Sequence, residues 1–111
     1  MLPSIAFEIR EYVDAAGRSP FARWFDGLGH EAASRVTTAL RRVGQGNLSN
    51  TKALDAGVFE YKLNFGPGYR IYFGRHGDKL IILLGGGTKS RQQRDIQAAL
   101  ANWRAYKRAK E

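Results

Sequence analysis

A chain of 111 residues with 43% hydrophobic and 25% charged side chains is long enough for one domain with a modest core, so we expect a single domain over residues 1–111. The absence of cysteine excludes disulfides, thiolate metal sites and a cysteine nucleophile. Eighteen basic against ten acidic residues give a net charge of +8, which favours a polyanion or an acidic protein as partner.

The sequence predicts a protein of the cytoplasm. The longest apolar run, Leu80–Leu84, is far shorter than the roughly 20 residues that a membrane helix needs. Glu8, Arg10 and Glu11 interrupt the first apolar segment, which is unlike a secretory signal. Two histidines are too few for a metal site of their own, and the sequence contains no other persuasive set of metal ligands, so neither a metal nor another cofactor is expected.

The first elements are predicted to be a strand and a helix. Apolar and polar residues alternate over about Ser4–Tyr12, which indicates a strand. Ser19 and Pro20 then favour a helix start, because serine caps helices and proline is tolerated at the first helical position. The aromatic residues that follow recur at helical spacing and are interpreted as core.

A second helix is predicted over about Glu31–Val43, which gives an αα-hairpin. Three arginines, Arg35, Arg41 and Arg42, lie outside its apolar stripe. We interpret them as a solvated face, with contact to phosphate as the alternative. The polar segment 45–57 is predicted to be a connector.

The stretch from Val58 to Ser90 predicts three consecutive antiparallel strands joined by tight turns. In the first two strands apolar residues take one parity and polar residues the other, so the two sets face opposite sides of the sheet. A three-residue turn at 66–68 would place Asn64 opposite Arg70 and Lys62 opposite Tyr72. The polar face would then carry Glu60, Lys62, Asn64, Arg70 and Tyr72. The unbroken apolar run Leu80–Leu84 predicts a strand that is central in the sheet and buried on both faces.

From about Lys89 the pattern becomes helical, and seven basic residues stand against Asp95 and Glu111 in this last segment. The predicted class is therefore α+β, in the order β-α-α-β-β-β-(α). Its four-stranded, mainly antiparallel sheet carries the αα-hairpin on one face, and the other face stays at least partly open.

Three patches resemble the RelE/ParE superfamily of toxins from bacterial type II toxin–antitoxin modules: Glu60–Leu63, Gly66–Phe73, and Leu83–Ser90 with the following Arg94-Asp95-Ile96. More narrowly, the chain looks like the HigB-type, phage Gp49-like addiction module killer branch. The resemblance covers nearly the whole chain and implies a RelE-like, microbial-ribonuclease-type fold. It also implies a cognate antitoxin, usually encoded next to the toxin and often carrying a helix-turn-helix, and a toxin–antitoxin hetero-oligomer.

RNA cleavage by internal transfer needs a base, cations that stabilise the charged phosphorane, and an acid for the leaving oxygen. Arg70 is the strongest catalytic candidate, because a guanidinium can hold two phosphate oxygens; the alternative is a surface pair with Glu60. Lys62 and Lys89 are the other catalytic candidates, for phosphate binding or proton transfer. The RNA-binding candidates are Tyr72, Arg91, Arg94 and Asn64. For Tyr72 the alternative is packing in the sheet, and for the arginines it is a solvated position.

The chain departs from the best-known RelE pattern, which carries a catalytic tyrosine where this sequence has Ile96. The identity of the base is therefore open, and His76, in a predicted turn, is a weaker candidate. The expected function is a metal-independent, ribosome-dependent mRNA endonuclease that inhibits translation. The alternatives are a non-nuclease toxin that binds a protein such as DNA gyrase, and an inactive remnant that keeps antitoxin binding. Fold alone does not choose between them.

Overall fold

The computed structural model describes residues 6–110. Its elements are β1 (Glu8–Glu11), α1 (Pro20–Asp26), α2 (His30–Gly44), β2 (Thr51–Ala53), β3 (Val58–Leu63), β4 (Tyr69–His76), β5 (Leu80–Thr88), a 3-10 turn (Lys89–Arg91) and α3 (Gln92–Ala109). The α+β class is confirmed. The predicted first strand began at Ser4, and its first two residues lie outside the described part of the chain.

The sheet has five strands in the order β1-β5-β4-β3-β2, so the prediction of four strands is wrong. The missed strand, β2, lies inside the predicted connector and pairs antiparallel with β3. Its three residues, Thr51, Lys52 and Ala53, show no apolar alternation. They form a strand by pairing with the outer edge of β3. The pairing of β1 with β5 is parallel and the others are antiparallel. The strand beginning at Leu80 lies between β1 and β4, and its predicted interior position is confirmed.

The αα-hairpin covers one face of the sheet, as predicted. The Ser19 hydroxyl accepts a hydrogen bond from the backbone N–H of Ala22 at 3.0 Å, and Pro20 follows as the first helical residue. This core is formed by apolar side chains from α1, α2 and the odd-numbered positions of the strands: Phe21, Val36, Ala39, Val43, Tyr61, Leu63, Ile71, Phe73, Ile81 and Leu83.

The opposite face is covered by α3, so the prediction of a partly open face is wrong along most of the sheet. Val58, Tyr72, Ile82, Leu84, Ala99 and Trp103 form a second buried cluster between α3 and the strands. The indole Nε1 of Trp103 donates to the carbonyl of Ala56 at 2.8 Å. Its ring lies so close to Gly74 that a Cβ there would overlap it. None of the described helices is both long and apolar enough to cross a membrane.

The register of β3 and β4 differs from the predicted one by two residues. Lys62 pairs with Arg70 and Glu60 pairs with Tyr72, because the connecting turn spans residues 64–68. Asn64 therefore lies in the turn rather than opposite Arg70. The shift is even, so the parity of each side chain is preserved, and Glu60, Arg70 and Tyr72 still share one face.

Candidate functional site

The turn between β3 and β4 forms one wall of a pocket of about 380 Å³. The pocket is lined by Lys62, Asn64, Phe65, Gly66, Pro67, Gly68, Arg70 and Lys89. A backbone hydrogen bond of 2.9 Å from Lys89 to Gly68 fastens the 3-10 turn to the β3–β4 turn. All three predicted catalytic residues and Asn64 therefore border one pocket, and none of the described residues that line it is acidic.

A second pocket, of about 470 Å³, follows the 3-10 turn into α3 and is lined by residues 89–94. Its lining includes Arg91 and Arg94, the two arginines predicted to bind RNA. Lys89 borders both pockets, and the two pockets together are named here the basic site. Six of the seven predicted site residues border it.

Arg70 is almost completely buried, with 4% of its surface exposed, although it borders the first pocket. Its Nη1 donates to the carbonyl oxygen of Gly68 at 2.7 Å. Its Nε lies 3.8 Å from Oε1 of Glu60, which is longer than a hydrogen bond, and Glu60 is also 4% exposed. The alternative of pairing with Glu60 is therefore observed, but inside the protein rather than on its surface. These contacts fix the guanidinium, so it needs no reordering to meet an anion in the pocket.

Gln92 links this buried pair to α3. Its Nε2 donates to Oε2 of Glu60 at 2.9 Å, so the first turn of α3 is bonded directly to β3. Sequence reasoning gave Gln92 no role. Nothing in the local sequence distinguishes it from Gln93, and only the docking of α3 brings one of the two amides onto Glu60.

Tyr72 borders neither pocket. Its side chain is completely buried beneath α3, and its hydroxyl lies beside the Glu60 carboxylate without a hydrogen bond of good geometry to any residue in the range 6–110. Burial, followed by the negative charge of Glu60 and then that of Asp95, raises the pKa of the Tyr72 phenol well above its ordinary value. The predicted accessible position is wrong, and the alternative of packing in the sheet is observed. Contact between Tyr72 and an RNA base stays a prediction, and it would require α3 to move.

Asp95 is a further polar residue that sequence reasoning did not assign. Its side chain lies against Gly87, where a Cβ would overlap the carboxylate. Its Oδ2 is buried, and within the described part of the chain no donor reaches it. Burial raises the pKa of the Asp95 carboxyl, while the charges of Arg94 and Arg91 oppose that shift. The neighbouring Ile96 packs against the core beneath α3.

His76 lies at the far end of β4 from Arg70. Its Nδ1 is 2.9 Å from the hydroxyl of Tyr106, and it lines a separate pocket with residues of the last turns of α3. Within residues 6–110, no three His, Cys, Asp or Glu side chains are grouped so that they could hold a metal ion. The polar side chains that border the basic site are cations, amides and the hydroxyl of Ser90, so its chemistry is that of anion binding.

Comparison with known proteins places this chain in a family. An uncharacterized protein of Haemophilus influenzae (strain ATCC 51907 / DSM 11121 / KW20 / Rd) is 35% identical over 80 residues, which cover 71% of this chain and 81% of that protein. The chain belongs to the family of this Haemophilus protein. No protein-family model matches the sequence.

The fold of this chain is shared with the toxin RelE. A mutant of the E. coli toxin RelE with two arginine-to-alanine changes, in the free state, matches with a TM-score of 0.65. The match covers 86% of this chain and 96% of that chain at 14% identity, so it shows a shared fold. The toxin–antitoxin complex RelBE2 from Mycobacterium tuberculosis also matches over 77% of this chain and 100% of its own, at 18% identity. The TM-score of this second match is 0.49.

Proposed function

We propose that this protein is the toxin of a type II toxin–antitoxin module and that it cleaves mRNA on the ribosome without a metal ion. The observation that carries the proposal is the convergence of Arg70, Lys62 and Lys89 on one pocket whose described lining is free of carboxylates. The RelE fold supports it, since the same architecture in E. coli belongs to a toxin. The proposal includes membership of the HigB-type, Gp49-like branch of these toxins.

In this mechanism the scissile phosphate lies in the first pocket. The 2′-oxygen attacks phosphorus, its proton passes to a base, and the bond to the 5′-oxygen breaks as that oxygen receives a proton. Arg70 stabilises the charge that develops on the phosphorane, because its guanidinium is held in place before the substrate arrives. Among the described lining residues, Lys62 and Lys89 are the remaining groups that can transfer protons. We assign proton transfer to this pair.

The proposed protein partner is a cognate antitoxin. An acidic or amphipathic segment would cover the basic site and neutralise its charge, which blocks RNA and stabilises the complex at the same time. Co-expression with the adjacent reading frame should yield a complex that co-purifies. A neighbouring frame without a helix-turn-helix, together with failure to co-purify, would count against this assignment.

The nuclease is tested by expressing the wild-type chain, Lys89→Ala and Lys79→Ala, followed by primer extension on cellular transcripts. Lys79 is an exposed lysine outside the basic site and serves as the matched control. The wild type and the control should cleave translated messages, whereas Lys89→Ala should cleave them about 100–1000-fold more slowly, within the range expected for loss of a group that stabilises charge or transfers a proton.

Ribosome dependence is tested by repeating the assay with purified message with and without ribosomes. Intact transcripts in cells whose growth the wild type still arrests would refute the nuclease. A DNA gyrase supercoiling assay then tests the alternative of a non-nuclease toxin that binds gyrase. Inhibition of gyrase that survives Lys89→Ala would favour that alternative.

A further inference from the structure

A second groove joins the basic site along the helix pair. It has a volume of about 390 Å³ and lies between α2 and β3. The lining residues, which define the α2 groove, are Ser34, Arg35, Thr38, Ala39, Arg42, Asn50, Tyr61, Lys62, Leu63, Asn64 and Phe65. Lys62, Asn64 and Phe65 also border the first pocket of the basic site, so the two recesses are continuous.

The α2 groove carries concentrated positive charge. Arg35 and Arg42 project from α2 and Lys62 from β3, and no described side chain along the groove carries a negative charge. Glu31 approaches Arg35 at 3.6 Å from outside the groove, but both side chains are more than half exposed, so the pair contributes little.

The guanidinium of Arg35 has a fixed place. Its Cζ lies 4.1 Å from the ring centroid of Phe65, and that ring stacks on Tyr69 with a centroid separation of 6.0 Å. A guanidinium that rests on an aromatic face has its N–H groups free at the edge. Arg35 is therefore positioned to donate to an anion in the groove, with less loss of side-chain entropy than a freely moving arginine.

We propose that the α2 groove binds the sugar–phosphate backbone of single-stranded RNA that continues from the basic site. The identification of the bound polymer as RNA rests on the proposed function. Arginine forks fit phosphate oxygens, and the hydroxyls of Ser34 and Thr38 with the amide of Asn50 fit ribose hydroxyls and phosphate. Of the apolar residues of the lining, Ala39, Tyr61 and Leu63 are buried, and the half-buried ring of Phe65 has one face covered by the guanidinium of Arg35. The groove therefore presents a mainly polar surface, which suits a nucleic-acid backbone better than the apolar stripe of an amphipathic acidic helix.

The test compares two charge-matched pairs of substitutions. Arg35→Ala/Arg42→Ala removes both groove arginines. Arg41→Ala/Arg104→Ala removes two exposed helical arginines that do not line the groove or the basic site. All four arginines are exposed, so both double variants are expected to fold, which thermal unfolding followed by circular dichroism verifies. Binding to 2′-O-methyl RNA, which cannot undergo internal transfer, is measured by fluorescence anisotropy with a 3-mer and a 12-mer.

The groove variant should bind the 12-mer at least about 10-fold more weakly than wild type and the 3-mer nearly as well, because only the longer strand reaches the groove. For this variant, the slope of log K against log salt concentration should become less steep by about 1.4. Each phosphate contact on a single strand contributes about 0.7 to this slope, and the variant lacks both arginines. The control pair should affect the two lengths equally.

Three results would overturn the proposal in different ways. Equal losses in both double variants would mean that only net charge matters, while the basic site could still bind RNA. If the groove variant lost 3-mer binding to the same extent as 12-mer binding, the two arginines would not bind RNA that continues beyond the basic site. Failure of the wild type to bind either RNA, combined with groove-dependent binding of a glutamate-rich peptide, would assign the groove to an acidic protein and remove support from the RNA-binding function itself.

Discussion

Glu60 on β3 and Arg70 on β4 are diagonal neighbours that form an ion pair inside the protein, with Nε and Oε1 3.8 Å apart. Neither charge is satisfied by the other alone. The arginine also donates to the carbonyl of Gly68, and the carboxylate accepts from Gln92. The packing of α3 on the sheet and the orientation of Arg70 are therefore linked through the Glu60 carboxylate.

Replacing Gln92 by alanine should reveal this link. The change leaves Oε2 of Glu60 buried without its donor, which costs about 1–3 kcal/mol of unfolding free energy. Gln93→Ala, one residue further along an exposed surface, should stay within about 0.5 kcal/mol of wild type. Urea unfolding measures both. Equal effects would show that the contact with Glu60 contributes nothing specific.

Removing the charge of Glu60 should be more damaging than removing the pair. Glu60→Gln leaves Arg70 as a buried unpaired cation, which we expect to cost about 3–5 kcal/mol of unfolding free energy. Glu60→Leu combined with Arg70→Met should recover most of that stability, because apolar residues can replace a buried ion pair. The double variant should nevertheless lose RNA cleavage. A stable double variant that still cleaves would exclude Arg70 from catalysis.

The hydroxyl of Tyr72 should be dispensable for stability. It is buried beside the Glu60 carboxylate without a hydrogen bond of good geometry among the described residues, so Tyr72→Phe should leave the unfolding free energy unchanged or raise it. Tyr106→Phe, which removes the contact with His76, should instead lower it by about 0.5–1.5 kcal/mol. Thermal unfolding separates the two. A marked loss in Tyr72→Phe would point to a hydrogen bond or a bound water at this hydroxyl.

Asp95 should make the protein less stable as pH rises. Burial raises the pKa of this carboxyl in the folded state, so the unfolded chain releases the proton first as pH increases. The resulting loss of stability begins near the ordinary aspartate pKa and is complete above the folded pKa. Asp95→Asn should therefore stabilise the protein at pH 7 relative to wild type and have less effect at pH 3. Asp78→Asn, in the β4–β5 turn, removes the same charge from an exposed position and serves as the control.

A methyl group at Gly74 should displace α3. The Cβ would overlap the indole of Trp103, and overpacking of this kind typically costs about 1–3 kcal/mol. At Gly27 the corresponding Cβ would meet the carbonyl oxygens of Trp24 at 3.5 Å and Arg23 at 3.9 Å, which are ordinary contacts. Gly27→Ala is therefore the control, with a near-neutral effect. Guanidinium unfolding of the two variants, with tryptophan fluorescence as the probe, tests the difference.

The sequence predicted which of these side chains share a face of the sheet, but it did not predict how deeply they are buried. The alternation of β3 and β4 placed Glu60, Arg70 and Tyr72 on one face, and this survived the error in register because the shift was two residues. Their burial did not follow from the pattern, since it depends on where α3 packs. Gln92 and Asp95 acquire their contacts only through that packing, and no local signal marked them.

The sequence by itself determined the class of fold, the two helices of the hairpin, the interior strand at Leu80 and the positive charge around Lys89, because periodicity, capping and charge are local properties. The tertiary structure alone decided that β2 joins the sheet, that α3 closes the second face and that Arg70 lies inside rather than on the surface. These features arise from contacts between residues distant in the chain, whose free energies depend on complementary shapes and on paired buried charges.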